Sequence, residues 1–145
     1  EFVKAREIEV AILGNERPRA SVVGEIATSS QVDYYDYQAK YFLPDGARVT
    51  VPAELDPALA ARVRRLAVKA YKAIGCSGLA RVDFFLDRED HRLMINEINT
   101  LPGFTPISVY PQAFAASGIP LERLLKKLCL LAMARQRDNA RQELV

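Results

Sequence analysis

The sequence is poor in several features that would have pointed to particular classes of protein. It has two cysteines, Cys76 and Cys129, at no metal-ligand spacing, so a reduced, cytoplasmic chain with two buried thiols is predicted. Neither sign of charge dominates, because 20 Lys and Arg residues face 18 Asp and Glu residues, and this balance argues against nucleic acid or an anionic membrane as partner. No apolar run approaches the roughly 18 residues of a membrane span. A small-molecule ligand is therefore expected.

The chain also lacks an initiator methionine and a signal-like start. Its first residues, "EFVKAREIEVAILG", enter at once into the alternation of Ile8, Val10 and Ile12 that is typical of a strand. On this pattern we expect a fragment that begins inside a structural element. With 145 residues, half of them apolar, the chain can bury one core, which predicts a single domain or one lobe of a larger one.

Periodicity predicts one α+β unit without repeats. Asp56 is the predicted N-cap of a helix that has Pro57 in its first turn and ends at Gly75. The predicted apolar stripe of this helix is Leu59, Val63, Leu66, Ala70 and Ile74. Further predicted elements are strands at 6–13, 22–28, 48–51, 79–86 and 93–99, a short helix at 110–117, and a last helix from Pro120 whose apolar face is Leu121, Leu124, Leu125, Leu128 and Leu131. The stretch "SSQVDYYDYQAKYFLPDGARVTVP" predicts a long ordered loop.

Acidic residues interrupt the strand-like segment "VDFFLDREDHRLMINEINTLPGF". If "REDHR" closes an unbulged hairpin, Asp83 lies opposite Glu97 and Arg81 opposite Asn99, all on one face. Carboxylates ~5 Å apart on a half-buried sheet are destabilising unless a positive group lies between them. An all-oxygen ligand set suits Mg²⁺. The alternatives are an ion pair of the acids with Arg81 or another cation, and a strand face open to water.

The segment after the acids, "INTLPGFTPIS", predicts a loop that leads into a helix. Gly103 permits close approach of the backbone, and the N–H groups of a helix that starts near Ser108 attract a carboxylate or a phosphate. A metal site and an anion site are therefore expected to adjoin. As an alternative, Ser108 is an ordinary N-cap. In the unbulged hairpin closed by "REDHR", the side chains of Leu93 and Ile95 are expected on the same face of the sheet as that of Glu97.

Four stretches in order, "EFVKAREIEVAILG", "YYDYQAKY", "GLARVDFFL" and "INEINTLPGFTPIS", resemble the C-terminal part of the D-alanine–D-alanine ligases, members of the ATP-grasp superfamily. The resemblance covers essentially the whole chain. It implies an α+β ATP-grasp lobe with a largely antiparallel sheet and flanking helices. It also implies an ATP-dependent ligation of two D-alanines through an acyl phosphate in peptidoglycan synthesis, an N-terminal substrate domain and a central subdomain that lie outside this chain, an inactive isolated lobe, and a homodimeric complete protein.

The resemblance implies roles for the residues of the acidic hairpin. Asp83, Glu97 and Asn99 match the ligands of two Mg²⁺ ions, with Mn²⁺ as an alternative, that bridge the phosphates of ATP. Arg81 matches the cation that stabilises the charged intermediate. A non-catalytic module whose acids form only an ion network is the alternative from another class.

For the second D-alanine, the resemblance implies a site at Gly103, Ser108 and Val109, with Gly103 near the reacting carbonyl and Ser108 at the carboxylate. Lys40 and Tyr41 match a loop that closes over the site and excludes water. Without the resemblance, that loop reads as aromatic residues packed on the core. A related ligase that joins D-alanine to a hydroxy acid would keep the metal residues and alter this loop.

For the nucleotide, the resemblance places Glu1, Phe2 and Val3 at a hinge whose main chain meets adenine, and Glu7 at the ribose. Taken alone, Glu7 reads as a solvated charge on a strand face. The single histidine, His91, lies in the predicted hairpin turn and is expected at the surface.

Overall fold

The structure is a computed structural model that describes residues 4–27, 41–42 and 48–142. Within these residues the chain forms one antiparallel sheet and three helices, which confirms the predicted fold class. The strands are β1 (Ala5–Leu13), β2 (Arg19–Ala27), β3 (Tyr41–Phe42), β4 (Arg48–Thr50), β5 (Leu79–Asp87) and β6 (Leu93–Asn99), and the helices are α1 (Pro57–Ala73), α2 (Val109–Ala116) and α3 (Leu121–Gln142). The strand order is β3-β4-β2-β1-β5-β6, so β1 and β5 lie near the middle of the sheet.

Helix α1 starts as the sequence predicts, and four residues of the predicted stripe, Leu59, Val63, Leu66 and Ala70, pack on the core, whereas Ile74 does not. Asp56 accepts hydrogen bonds from the N–H groups of Ala58 at 2.9 Å and Leu59 at 3.2 Å, which satisfies two of the free donors of the first turn. The buried face is Val63, Ala67 and Tyr71, whereas Ile74 is 60% exposed. Tyr71, which the predicted stripe does not include, donates its hydroxyl to the Gly14 carbonyl at 2.7 Å inside the core.

The two faces of the sheet are covered differently. Helix α1 covers one face through a core of strand residues that alternate along β1 and β5, namely Ile8, Val10, Ile12, Val82, Phe84 and Leu86. Helices α2 and α3 cover part of the other face, where Ala11 and Leu13 pack with Tyr110, Phe114 and Leu124. The polar residues that follow the same alternation on this second face lie beside α2.

Two expectations about α3 and the thiols need correction. Helix α3 packs through three residues of the predicted stripe, the fully buried Leu124 and the partly buried Leu128 and Leu131, whereas Leu121 and Leu125 are exposed. Cys76 is half-buried and Cys129, on α3, is exposed, so the prediction of two buried thiols is wrong for Cys129. None of the helices in the described residues has the length and apolar character needed to cross a membrane.

Gly24 brings α2 close to the sheet. It lies opposite Glu9 in the β1–β2 pair, and a Cβ at this position would be 2.8 Å from the Val109 Cγ1 atom and 3.3 Å from the Val51 Cγ2 atom. The absence of a side chain therefore lets the first residue of α2 rest directly on β2. As a result, the start of α2 lies next to the strand position of Glu9.

We expect Gly24→Ala to lower the free energy of unfolding by about 1–3 kcal/mol, because the added methyl group overlaps the Val109 side chain. Chemical denaturation of the 145-residue chain, followed by circular dichroism, measures this loss. Val109→Ala removes the overlapping atoms, so the double variant should lose less stability than the two single losses added together. If the two losses of unfolding free energy simply add, contact between Gly24 and Val109 does not determine how closely α2 packs on β2.

Candidate functional site

A row of acidic residues crosses the sheet on the face that α2 leaves open. Glu9 on β1 lies opposite Asp83 on β5, and Asp83 lies opposite Glu97 on β6. Arg81 lies opposite Asn99, so both predicted cross-strand pairs are confirmed. Residues opposite one another on antiparallel strands have their side chains on the same face. The structure therefore brings the candidate metal ligands and Arg81 together.

The β5–β6 hairpin contains a bulge, and the prediction of an unbulged hairpin is wrong. Beyond Asp83, the next pair is Phe84 with Ile95, which leaves Asn96 as the extra residue. The bulge moves Leu93 and Ile95 to the face opposite Glu97, and Leu93 packs against the core under α1. The sequence carried a signal of this arrangement, since the apolar spacing along the strand changes from two to three after Ile95.

Arg81 lies among the acidic groups and binds one of them directly. Its Nε donates to Asp83 Oδ1 at 2.8 Å and its Nη2 to Asp83 Oδ2 at 2.6 Å. Glu9 Oε2 lies 3.2 Å from the same Nε, and Glu97 Oε1 lies 4.0 Å from Nη2. Burial disfavours the charge on Arg81, but the hydrogen bonds to Asp83 and the surrounding acids outweigh it and raise the pKa of the guanidinium. The ion pair between the acids and Arg81, which the sequence left open as an alternative to a metal site, is therefore present.

Glu9 is the acidic residue that sequence reasoning missed. Its side chain is only 6% exposed, and its Oε2 atom accepts no hydrogen bond from any described residue. Burial raises the pKa of Glu9 to about 8; Arg81 opposes this rise and Asp83 adds to it. The available signal was its place between Ile8 and Val10 in a strand that reads as buried, where an unpaired acid is costly.

The donor chemistry of this face fits a hard divalent cation. Asp83, Glu97 and Asn99 offer only oxygen ligands, as Mg²⁺ prefers, and the unsatisfied Glu9 Oε2 adds a buried acidic oxygen beside them. The side chains are not arranged around a metal, however, because among the described residues no three His, Cys, Asp or Glu side chains form a ready coordination group. Asn99 Oδ1 accepts a hydrogen bond from the Leu101 N–H at 3.0 Å. Because Arg81 donates to both carboxylate oxygens of Asp83, binding of a cation at Asp83 requires this carboxylate to release Arg81.

The acidic row borders an open cavity of about 220 Å³. Its polar lining includes Glu7, two positions before Glu9 on β1, together with Arg81, Asp83 and Glu97. Glu7 lies opposite Phe85 in the β1–β5 pair, on the face of the acids. The structure thus places the candidate ribose residue and two of the candidate metal residues, Asp83 and Glu97, around one cavity.

The loop between β6 and α2 brings Gly103 against Ser108. A Cβ on Gly103 would lie 2.8 Å from Ser108 Oγ, so a side chain there would displace the hydroxyl. Ser108 occupies the N-cap position but makes no side-chain cap hydrogen bond. Its Oγ accepts instead from the Thr105 N–H at 3.1 Å and lies 2.8 Å from Thr105 Oγ1. Val109 is buried against the sheet, and only its main chain remains available to a ligand.

Two further predicted positions, Tyr41 and His91, lie in the described residues. Tyr41 lies in β3, where its main chain pairs with Val49 of β4. His91 is exposed and has a positive φ of 56° in the turn between β5 and β6, which agrees with the predicted surface position. The predicted residues outside the described ranges are Glu1, Phe2, Val3 and Lys40.

Comparison with known proteins agrees with this geometry. The sequence model of the family described as "D-ala D-ala ligase C-terminus" matches residues 1–130. The chain belongs to the D-alanine–D-alanine ligase family. It is 50% identical over 143 residues to the D-alanine–D-alanine ligase of Ruminiclostridium cellulolyticum, an alignment that covers 98% of this chain and 38% of that protein. The chain therefore spans well under half the length of this curated relative.

Solved structures of ligases share the fold. The D-alanine–D-alanine ligase of Coxiella burnetii has a TM-score of 0.81 at 37% identity, covering 98% of this chain and 36% of that one. The VanG D-Ala:D-Ser ligase of Enterococcus faecalis gives 0.76 at 37% identity, with coverages of 90% and 37%. The Bacillus anthracis D-alanine–D-alanine ligase in complex with ATP gives 0.75 at 29% identity, with coverages of 95% and 43%. These matches confirm the ATP-grasp lobe implied by the sequence.

The raised pKa of Glu9 predicts a specific pH dependence of stability. Unfolded Glu9 loses its proton near pH 4.5, whereas folded Glu9 keeps it until about pH 8, so this residue lowers stability progressively as pH rises between these values. Glu9→Gln should remove that slope and leave the variant more stable at pH 8, on the order of 3 kcal/mol. Urea denaturation of the chain between pH 5 and pH 8.5 tests this.

Glu16→Gln, which removes an exposed carboxylate from the β1–β2 turn, measures the background effect of losing one acid. Parallel pH profiles for the unsubstituted chain and Glu9→Gln would show that Glu9 ionises in its ordinary range.

Proposed function

We propose that this chain supplies the Mg²⁺–ATP and second-D-alanine part of the site of an ATP-dependent D-alanine–D-alanine ligase, an enzyme of peptidoglycan synthesis. The observation that supports this most is the row of acids around Arg81, on a face that also adjoins the loop before α2, in a chain of this ligase family. The relative from R. cellulolyticum carries this name, and the structure from B. anthracis is a complex with ATP.

The proposed reaction concentrates negative charge in one place. Joining a carboxylate to an amine requires phosphoryl transfer to give an acyl phosphate, and then attack by the second amino acid through a tetrahedral oxyanion. Asp83, Glu97 and Asn99 would hold Mg²⁺, which when bound supplies positive charge to the phosphate oxygens. Arg81 adds a second cation on the same face, half-buried and therefore less screened than a surface charge.

The loop before α2 would hold the second substrate. Helix starts present free N–H groups and a positive dipole end, which suits the carboxylate of an amino acid. Ser108 adds a hydroxyl that Thr105 already orients, and Gly103 leaves the space in front of it open. Val109 would contribute through its main chain.

The remaining assignments stay proposals that depend on the resemblance. Glu7 would bind the ribose from its position on the shared cavity, and Glu1, Phe2 and Val3 would meet the adenine. Lys40 and Tyr41 would belong to a loop that closes over the site, and the complete protein would be a homodimer.

A hybrid ligase tests the proposed function directly. In this protein the present chain replaces the aligned segment of the R. cellulolyticum ligase, and D-alanine-dependent release of ADP is measured together with the dipeptide formed. Asp83→Asn and Glu97→Gln should each lower kcat/KM by about a hundredfold or more without unfolding the protein, because each removes a charge that balances the cation and no core contact.

Glu25→Gln is the matched control. Glu25 is also a sheet carboxylate bound to an arginine, since Arg6 donates to it at 2.7 and 2.6 Å, but its cross-strand partner Ile8 lies on the face under α1. Turnover near that of the unsubstituted hybrid is expected for this control. Equal turnover in the Asp83 and Glu97 variants would refute the metal assignment. The 145-residue chain alone should release no ADP.

Tyr41 concerns the choice of second substrate, which matters because VanG, a structural neighbour, is a D-Ala:D-Ser ligase. If Tyr41 helps to enclose a dry site for an amine nucleophile, Tyr41→Phe in the hybrid should weaken ligation and lower the preference for D-alanine over D-lactate. The measurement is the ratio of the two kcat/KM values, with D-serine as a third acceptor. An unchanged ratio at unchanged rates would leave Tyr41 without a role in specificity.

A further inference from the structure

We propose that Glu9 is a positioning residue that receives the Arg81 guanidinium when Asp83 turns to bind the metal ion. This role rests on the proposed function, because it presumes a cation at Asp83. It concerns a residue outside the set of metal, substrate and nucleotide positions assigned above.

Arg81 blocks the position that a cation would take at Asp83. Both carboxylate oxygens of Asp83 accept hydrogen bonds from Arg81, at 2.8 and 2.6 Å. A divalent cation at the same oxygens would stand close to the guanidinium, and two positive charges at such a separation repel strongly at a half-buried site. Metal binding at Asp83 therefore requires the guanidinium to move to another acceptor.

Arg81 cannot be left without a partner after it moves. Its side chain is only 19% exposed, and removing the partner of a largely buried charge is strongly destabilising. Glu97 lies 4.0 Å from Nη2, but it is more than half exposed and is itself a candidate metal ligand. An acceptor that does not also bind the metal is needed.

Glu9 has the properties of that acceptor. Its Oε2 lies 3.2 Å from Arg81 Nε, within reach of a small side-chain rotation, and is buried without a hydrogen bond from the described residues. Neighbouring Gly24, its cross-strand partner, lies under the first residue of α2. Glu9 Oε2 thus lacks a hydrogen bond, while the donor 3.2 Å away, Arg81 Nε, gives its hydrogen bond to Asp83.

The first measurement is the affinity for Mn²⁺ alone, by electron paramagnetic resonance titration of the full 145-residue chain. Glu9→Leu, which offers no acceptor, should weaken Mn²⁺ binding about tenfold or more. Glu9→Gln keeps an uncharged acceptor oxygen and should fall between Glu9→Leu and the unsubstituted chain. Glu25→Gln, on the other face of the sheet, should bind as the unsubstituted chain does.

The second measurement follows the Arg81 Nε–H signal by ¹⁵N nuclear magnetic resonance during titration with Mg²⁺, with Arg81→Lys for assignment. In the unsubstituted chain the resonance of this hydrogen should shift on metal binding, and the hydrogen should remain protected from exchange with water, because its hydrogen bond changes acceptor from Asp83 to Glu9. In Glu9→Leu at saturating Mg²⁺ it should exchange rapidly. A merely structural effect of the substitution would not produce exchange that depends on the metal.

The outcomes separate this role from its alternatives. Unchanged Mn²⁺ affinity in Glu9→Leu and Glu9→Gln overturns the proposal. Weaker binding of Glu9→Leu with a protected Arg81 hydrogen also overturns it, because Glu9 would then act as a ligand or through the fold. If Glu9→Leu does not fold, Glu9→Ala, which also offers no acceptor, takes its place in both measurements. Absence of Mn²⁺ binding to the unsubstituted chain contradicts the metal assignment itself, and the role of Glu9 fails with it.

Discussion

One guanidinium organises the polar face of this sheet. Arg81 lies within 4.0 Å of carboxylate oxygens on three neighbouring positions, Glu9, Asp83 and Glu97. Without a cation among them, acids on adjacent strands would repel one another across the pleat. The register of β1, β5 and β6 fixes where these groups meet, so the local charge balance and the pairing of the central strands depend on each other.

The architecture explains how a sheet can carry such a group of charges. One face is sealed by α1 over aliphatic and aromatic residues, and the other is divided between an apolar half under α2 and α3 and the polar half. Two tyrosines join these layers to the end of β1 and the residue after it, because Tyr110 donates to the Ile12 carbonyl at 2.9 Å and Tyr71 to the Gly14 carbonyl at 2.7 Å. Apolar packing thus holds the strands in place while the acids remain beside an open cavity.

Local rules were sufficient for part of this arrangement. Asp56, Pro57 and Gly75 marked the ends of α1, and the pairing of Asp83 with Glu97 was predicted correctly, although the structure reaches this pair through the bulge at Asn96 and not through the predicted turn register. The misses came from features that depend on tertiary contacts. The bulge at Asn96 is favoured because it turns Leu93 toward the core, and the buried position of Tyr71 depends on a carbonyl distant in sequence. The resemblance assigns a role to Glu7 and none to Glu9, whose surroundings come from strand pairings distant in sequence.

Glu9 also shows how a site can impose a cost on the fold. A carboxyl group buried without a hydrogen bond to its Oε2 atom disfavours the folded state, and an amide or apolar side chain there would avoid that cost. Protein interiors rarely keep such a group unless another state of the molecule uses it. The Nε of Arg81 lies 3.2 Å from this oxygen but is already bound to Asp83. The unsatisfied oxygen of Glu9 and the two hydrogen bonds to Asp83 therefore have one cause: the Arg81 guanidinium has two carboxylates beside it and donates to only one of them.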